Sequence, residues 1–199
     1  SSKVDVRLLP ETPSEAAVRK VLLRLLEIME ANHAGMIADT DPEFLHDFRV
    51  AVRRTRSMLG QMKQAVPEGM LAGFKPELDW LGKLTGQVRD LDVYILKFQD
   101  YAASLDESIR GDLAPLKQYI CRRQQREQIK LVRALSAGRY LKFAGSWKAA
   151  LNTCWQSDAP GWKGADPIET VARQRILKIF KRALRQGRAL KKDSPASAI

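Results

Sequence analysis

Residues 44–62 read FLHDFRVAVRRTRSMLGQM. At about 100° per residue around an ideal helix, His46, Arg49, Arg53 and Arg56 fall within one sector about 80° wide, with Arg54 on its flank. Leu45, Phe48, Val52, Thr55, Leu59 and Met62 fall on the opposite side. The segment is therefore predicted to be a helix with an apolar face for a core and a separate basic face. Like charges three and four residues apart repel by a few tenths of a kcal/mol per pair, and Asp47 is the only carboxylate within the stretch. Stability alone would not select such a stripe. A solvated helix face more usually alternates Glu with Lys, whereas here arginine dominates, and its planar fork suits bidentate hydrogen bonding to phosphate oxygens. Phosphate recognition is the reading this helix favours.

Outward from this helix, prolines and glycines separate further stretches of helical periodicity, and six helices are expected in all. The first runs from Ser14, as N-cap after Pro13, to about Ala34, with Val18, Leu22, Leu25, Leu26 and Met29 at helical spacing. The second starts near Pro42 and reaches about Gln64, before Pro67 and Gly69. The third covers about Phe74 to Ala103, and the fourth Ala114 to Ala137, with Gly138 expected as the residue that ends it. The fifth covers Tyr140 to about Gln156, and a turn-rich stretch from Ser157 to Asp166 leads to a sixth from about Pro167 to Gly187. No alternating run competes as a strand, so an all-α bundle is the predicted fold class. Residues 1–13 are expected to be a linker or tag remnant, and 14–199 the domain.

Charge and composition narrow the function. The 199 residues carry 34 Lys and Arg against 23 Asp and Glu, a net charge of +11, which implies a polyanionic partner without choosing one. A hydrophobic fraction of 45% with 29% charged residues is an ordinary globular balance. The longest apolar runs fall far short of the roughly 18 residues a membrane span needs, and Ser1 to Leu9 carries charges where a signal peptide would be apolar. Two cysteines, Cys121 and Cys154, are too few for a disulfide framework or a zinc ribbon. A cytoplasmic setting without membrane association is expected. His46 with Asp47, plus the other histidine His33, matches no metal-ligand spacing. No phosphate loop, nucleophile elbow or paired-carboxylate constellation occurs, so neither catalysis nor a cofactor is expected.

The basic pattern recurs more weakly. Arg122, Arg126, Lys130 and Arg133 share a sector of the fourth helix, with Tyr119 beside them. Nine Lys or Arg lie between Arg173 and Lys192 without a carboxylate, and Arg173, Arg175, Lys178, Arg182 and Arg185 are candidates among them.

The motif His46-x-x-Arg49-Val50-x-x-Arg53-Arg54-x-Arg56 is followed by Leu78-x-Trp80-Leu81-Gly82-Lys83-Leu84-x-Gly86-x-Val88-Arg89-Asp90-Leu91-Asp92-Val93. With this pairing the chain resembles the CHAD family, the conserved-histidine α-helical domains, from about Ser14 onward. The region from Leu131 to Tyr140 is consistent with it. The resemblance implies two pseudo-symmetric helical bundles whose basic faces line a central channel, and binding of inorganic polyphosphate. By the same resemblance, such domains often follow a CYTH triphosphatase domain in the same chain or stand alone, and the E-x-E-x-K signature of that domain is absent from this sequence. The second H-x-x-R-I-x-x-K-x-x-R-Y helix of the family does not occur in these residues either, so the resemblance covers the first part of the double bundle, with the missing half expected elsewhere in a longer chain or from another molecule in a homo-oligomer.

On this reading Arg49, Arg53, Arg54 and Arg56 bridge successive phosphoryl oxygens, and Lys83 and Arg89 form a second wall. His46 donates as a neutral or, beside a polyanion, as a charged imidazole. Arg122, Arg126, Lys130, Arg133, Arg182 and Arg185 complete the expected binding set. Gly82 and Gly86 are expected to admit another helix closely. Trp80, Leu81, Leu84, Val88, Leu91 and Ile95 are expected in the core, and Asp90 and Asp92 to orient arginines. The expected function is a polyphosphate-binding module that targets itself or an attached triphosphatase to polyphosphate, and so to polyphosphate granules. The alternative is a nucleic-acid-binding helical protein using the same stripes on the sugar-phosphate backbone.

Overall fold

The computed structural model describes residues 3–153 and 155–189. Among these, the chain folds into α-helices alone: α1 (Ser14–Ala38), α2 (Pro42–Gln61), α3 (Glu68–Leu96), α4 (Phe98–Ala103), α5 (Glu107–Arg110), α6 (Ala114–Ser136), α7 (Gly138–Leu151) and α8 (Ile168–Ala189). Short 3-10 turns occupy Lys63–Ala65 and Gly111–Leu113. No β-sheet is present among the described residues; one isolated bridge joins Pro13 to Pro167. Among the described residues no helix is long and apolar enough to cross a membrane.

Helix α1 packs along α2, α2 on α3, α3 on α6, α6 on α7, and α7 returns to α1 and α3. The ring encloses Leu22, Leu25 and Met29 of α1, Phe48, Val52 and Leu59 of α2, Leu78, Leu81 and Val88 of α3, and Leu131 and Leu135 of α6. Trp147 closes one end, edge-on to Phe74 and stacked with Phe143. These are the apolar positions that helical spacing assigns to the inside.

The turn between α1 and α2 fixes the two helices closely. Asp39 adopts a left-handed φ of 50° and its N–H donates to the Gly35 carbonyl. Asp41 then caps α2, its carboxylate accepting from the Glu43 N–H at 2.8 Å, with Pro42 in the first turn. Gly35 is required here. A Cβ at that position would stand 2.5 Å from the Phe44 ring.

Several boundaries differ from the expected ones, each for a local reason. Ser14 is the first residue of α1 rather than its cap. The orphan N–H groups of that helix end donate instead to backbone carbonyls of the segment before α8, from Ser14 to Asp166 and from Glu15 to Gly164. The Ser14 hydroxyl donates to the Lys163 carbonyl. Helix α3 begins at Glu68, six residues before Phe74, and carries Pro76 inside it. It stops at Leu96, and α4 and α5 are separate short helices. Gly138 opens α7 instead of ending α6, because the chain turns at Ala137, which is extended at ψ 153°. Helix α7 ends at Leu151, short of Gln156. Helix α8 contributes only Val171 to the buried set, and Ile176, Leu177, Phe180 and Leu184 are exposed on it. Cys121 is a free thiol. Cys154, and the basic tail beyond Ala189 with Lys191 and Lys192, lie outside the described residues.

Candidate anion-binding groove

The apolar face of α2 turns Phe48, Val52 and Leu59 into the core, which rotates the basic sector toward α3. Between the two helices lies a groove of about 220 Å³ lined by His46, Arg49, Arg53 and Arg56 from α2 and by Gly82, Thr85 and Arg89 from α3. Five of the expected binding residues therefore meet in one place.

Each arginine is held differently. Arg49 crosses to α3, where its Nη1 donates to the Gly82 carbonyl at 3.1 Å and to Thr85 Oγ1 at 3.2 Å. Thr85 is fully buried, and its hydroxyl donates onward to the Leu81 carbonyl at 2.7 Å. Both partners of Arg49 are uncharged. Burial lowers the Arg49 pKa, Asp90 opposes that, and Arg89 and Arg53 add to it; an arginine remains charged through any such change near neutral pH. Arg56 forms an ion pair with Asp79 of α3, Nη2 to Oδ1 at 2.6 Å, and Lys75 holds the other carboxylate oxygen at 3.0 Å. Arg89 reaches back toward the start of α2, donating to the Pro42 carbonyl at 3.4 Å with Glu43 at 3.7 Å.

Gly82 and Gly86 have a different use from the one expected. The groups that approach them are not another helix backbone but guanidinium groups: the Cβ positions stand 3.1 Å from Nη1 of Arg56 and of Arg49 respectively. The absent side chains leave room for the arginines to lie flat against α3. Asp90 acts on Arg49 electrostatically. Asp92 differs from the expected arginine partner: it is buried and accepts from Gln124 Nε2 of α6 at 3.1 Å. Leu81 and Val88 are buried as expected, whereas Trp80 is only partly so and carries Arg139 over its ring at 4.2 Å.

The remaining expected residues lie elsewhere. Lys83 is exposed and does not line the groove, because one residue on from Gly82 is about 100° around the helix. Arg54 faces the opposite flank of α2, in a larger apolar groove of about 810 Å³ with Val21, Leu25, Met58, Ile176 and Ile179. Arg122, Arg126, Lys130 and Arg133 are exposed on α6, on the side away from buried Gln124, Gln128, Leu131 and Leu135. Lys130 is paired with Glu127 at 2.8 Å. Arg182 and Arg185 are exposed on α8.

Sequence reasoning missed Thr85 and Asp79, which position Arg49 and Arg56. Their signal was present in the i, i+4 glycines beside them, which mark where something lies close to α3. Glu43, His46 and Asp47 bring one donor atom each within 4.8 Å of one another, with the Glu43 carboxylate also drawn toward Arg89.

Residues 20–199 match the family model of the CHAD domain. Among solved structures, the chain is similar to the crystal structure of the CHAD domain from the plant Ricinus communis, with a TM-score of 0.73 and 23% identity over 99% of this chain and 63% of that one. At that identity the likeness is one of fold. The chain thus spans about 63% of the length of the solved relative. No curated protein matches it.

Proposed function

The chain belongs to the CHAD domain family, and from that premise we propose that it binds inorganic polyphosphate in the groove between α2 and α3. The observation that carries this reading is the setting of Arg49. It is ordered by a backbone carbonyl and a hydroxyl, neither of which neutralises it, while Arg53 and His46 line the same groove. Positive groups fixed by neutral acceptors suit an anion that supplies the missing charge. A linear polyphosphate needs repeated cationic donors and no base-stacking surface, and among the described residues no Phe, Tyr or Trp lines this groove.

The domain is read as a non-catalytic binding module of that family. Its role is to bring itself, or an attached CYTH triphosphatase, to polyphosphate, with polyphosphate granules in the cytoplasm as the site of action. The domain is further read as the first part of a pseudo-two-fold double bundle whose basic faces line a channel. The exposed Ile176, Leu177, Phe180 and Leu184 support that reading, since they form an apolar surface on α8 that a second bundle or another copy of the chain would cover.

Competition at fixed salt among long-chain polyphosphate, tripolyphosphate, single-stranded DNA and duplex DNA tests the proposal. Long-chain polyphosphate is expected to win per unit charge. Equal affinity for DNA would favour backbone binding by the same stripes instead.

A further inference from the structure

A second basic cleft, of about 250 Å³, opens where α2 ends. Lys63, Lys163, Arg175 and Lys178 line it together with the amides of Gln61 and Gln174. No carboxylate lines the cleft, and none of the four cations is ion-paired among the described residues.

Three separate parts of the chain assemble it. Lys63 comes from the 3-10 turn after α2, Lys163 from the segment between α7 and α8, and Arg175 and Lys178 from one turn of α8. The placement is fixed by hydrogen bonds. The Lys163 N–H donates to the Gln64 carbonyl at 2.8 Å, and its Nζ donates to Gln174 Oε1 at 2.5 Å. Arg175 Nε donates to Gln61 Oε1 at 2.8 Å. The same segment is tied to the start of α1 through Ser14. Like Arg49 in the α2–α3 groove, Lys163 and Arg175 are ordered by neutral oxygens, so their charge stays uncompensated. The carbonyl end of α2 contributes only about half a negative charge, against four positive ones.

The cleft continues the row of cations on α2. Arg49 and Arg56 are seven residues apart on α2, about 10.5 Å at the helical rise, and Lys63 lies two residues past the end of that helix. Arg53 and Arg56 also line a neighbouring hollow with Gly60, Lys75 and Asp79. We infer that this cleft is a second phosphoryl-binding station, which takes a more distant segment of the same linear polyanion that the α2–α3 groove holds. The inference rests on the polyphosphate reading and adds to it a preference for chains long enough to reach both stations.

The test is titration of long-chain polyphosphate and of tripolyphosphate into the wild-type chain and into Lys63→Ala/Lys163→Ala/Lys178→Ala, across a salt series. Three fewer phosphate contacts should weaken long-chain binding by about tenfold and reduce the slope of log K against log salt by about 2. The α2–α3 groove should still bind tripolyphosphate. A control that removes the same charge elsewhere, Lys97→Ala/Lys117→Ala/Lys142→Ala, should keep the slope of the wild type. Lys178→Glu, a single exposed change, should weaken long-chain binding several-fold on its own and guards against misfolding of the triple variant. Long-chain binding within about twofold of wild type in both cleft variants, or an equal loss in the control, overturns the second station. A wild-type chain that binds neither phosphate oligomer overturns the polyphosphate reading itself, which is a different result.

Discussion

Arg49 of α2 is anchored on Thr85 of α3, its Nη1 3.2 Å from the threonine hydroxyl and 3.1 Å from the neighbouring Gly82 carbonyl. The threonine is buried and spends its own proton on the Leu81 carbonyl, so its oxygen is turned toward the arginine as an acceptor. A cation is thereby held in place without losing its charge. Thr85→Val keeps the shape and removes the acceptor. Anion affinity should fall by about tenfold, the worth of one charge-assisted hydrogen bond, with the helical content unchanged by circular dichroism. Thr85→Ser should restore it, because only the oxygen matters. Valine binding as well as threonine would show that the contact does not position Arg49.

Gly86 offers a test in which stability and binding move in opposite directions. A Cβ there would lie 3.1 Å from Arg49 Nη1, so the guanidinium must yield by a few tenths of an ångström. Alanine is about 1 kcal/mol better than glycine inside a helix. Gly86→Ala should therefore raise the melting temperature while weakening polyphosphate binding. Calorimetry on the same sample reads both, and an increase in both would contradict the role given to this glycine.

How much of this was legible follows from the range of each interaction. The two faces of α2 could be read because helical periodicity is local, and Phe48, Val52 and Leu59 take the inside for that reason. The start of α3 was missed because Pro67 and Gly69 read as breakers, although α3 opens between them at Glu68. An interior proline such as Pro76 costs about 3 kcal/mol, but Met70 is buried and Leu71 and Phe74 pack partly buried on the core before it, where full burial of a side chain of that size is worth about 1.5–3 kcal/mol. Arg49 and Arg89 were recognisable as site residues from the family motif. The position of Lys83 away from the groove depended on the rotation of α3, which tertiary packing sets. Lys63 and Lys163 meet across a hundred residues of chain, and nothing in their local sequence marks that.

Asp79 competes with any anion for Arg56. Its carboxylate pairs with Arg56 at 2.6 Å and Lys75 at 3.0 Å, and the hydrogen bond from Lys75, followed by the charge of Arg56, holds its pKa below the usual carboxylate value. The stability that this carboxylate contributes is present above its unfolded pKa and lost as the pH falls through the depressed one. At neutral pH it is fully ionised. Both partners are partly exposed, so the pair adds little to stability. Asp79→Asn should tighten polyphosphate binding about threefold and steepen its salt dependence, through two released cations. Weaker binding would mean that Asp79 orients Arg56 more than it neutralises it.

Asp92 gives a pH prediction of the opposite sign. Burial raises its pKa, while the hydrogen bond from Gln124 lowers it, Asp39 raises it and Arg89 lowers it. A raised folded pKa means that its contribution to stability is fully present below the unfolded value of 3.8 and is lost as the pH rises through the folded one. Asp92→Asn keeps an acceptor for Gln124 and removes the charge. The variant should melt higher than wild type at neutral pH, and the advantage should shrink as the buffer is acidified. A lower melting temperature at neutral pH would show that the carboxylate charge is compensated in the fold.

The central claim, that the α2–α3 groove is the phosphate site, is tested most directly by titrating long-chain polyphosphate into the wild-type chain and into Arg49→Ala/Arg53→Ala at one fixed salt concentration. Loss of two charge-assisted contacts at about 1.5 kcal/mol each predicts about a hundredfold weaker binding, with the fold retained. A correctly folded double variant that binds as tightly as wild type would contradict the account.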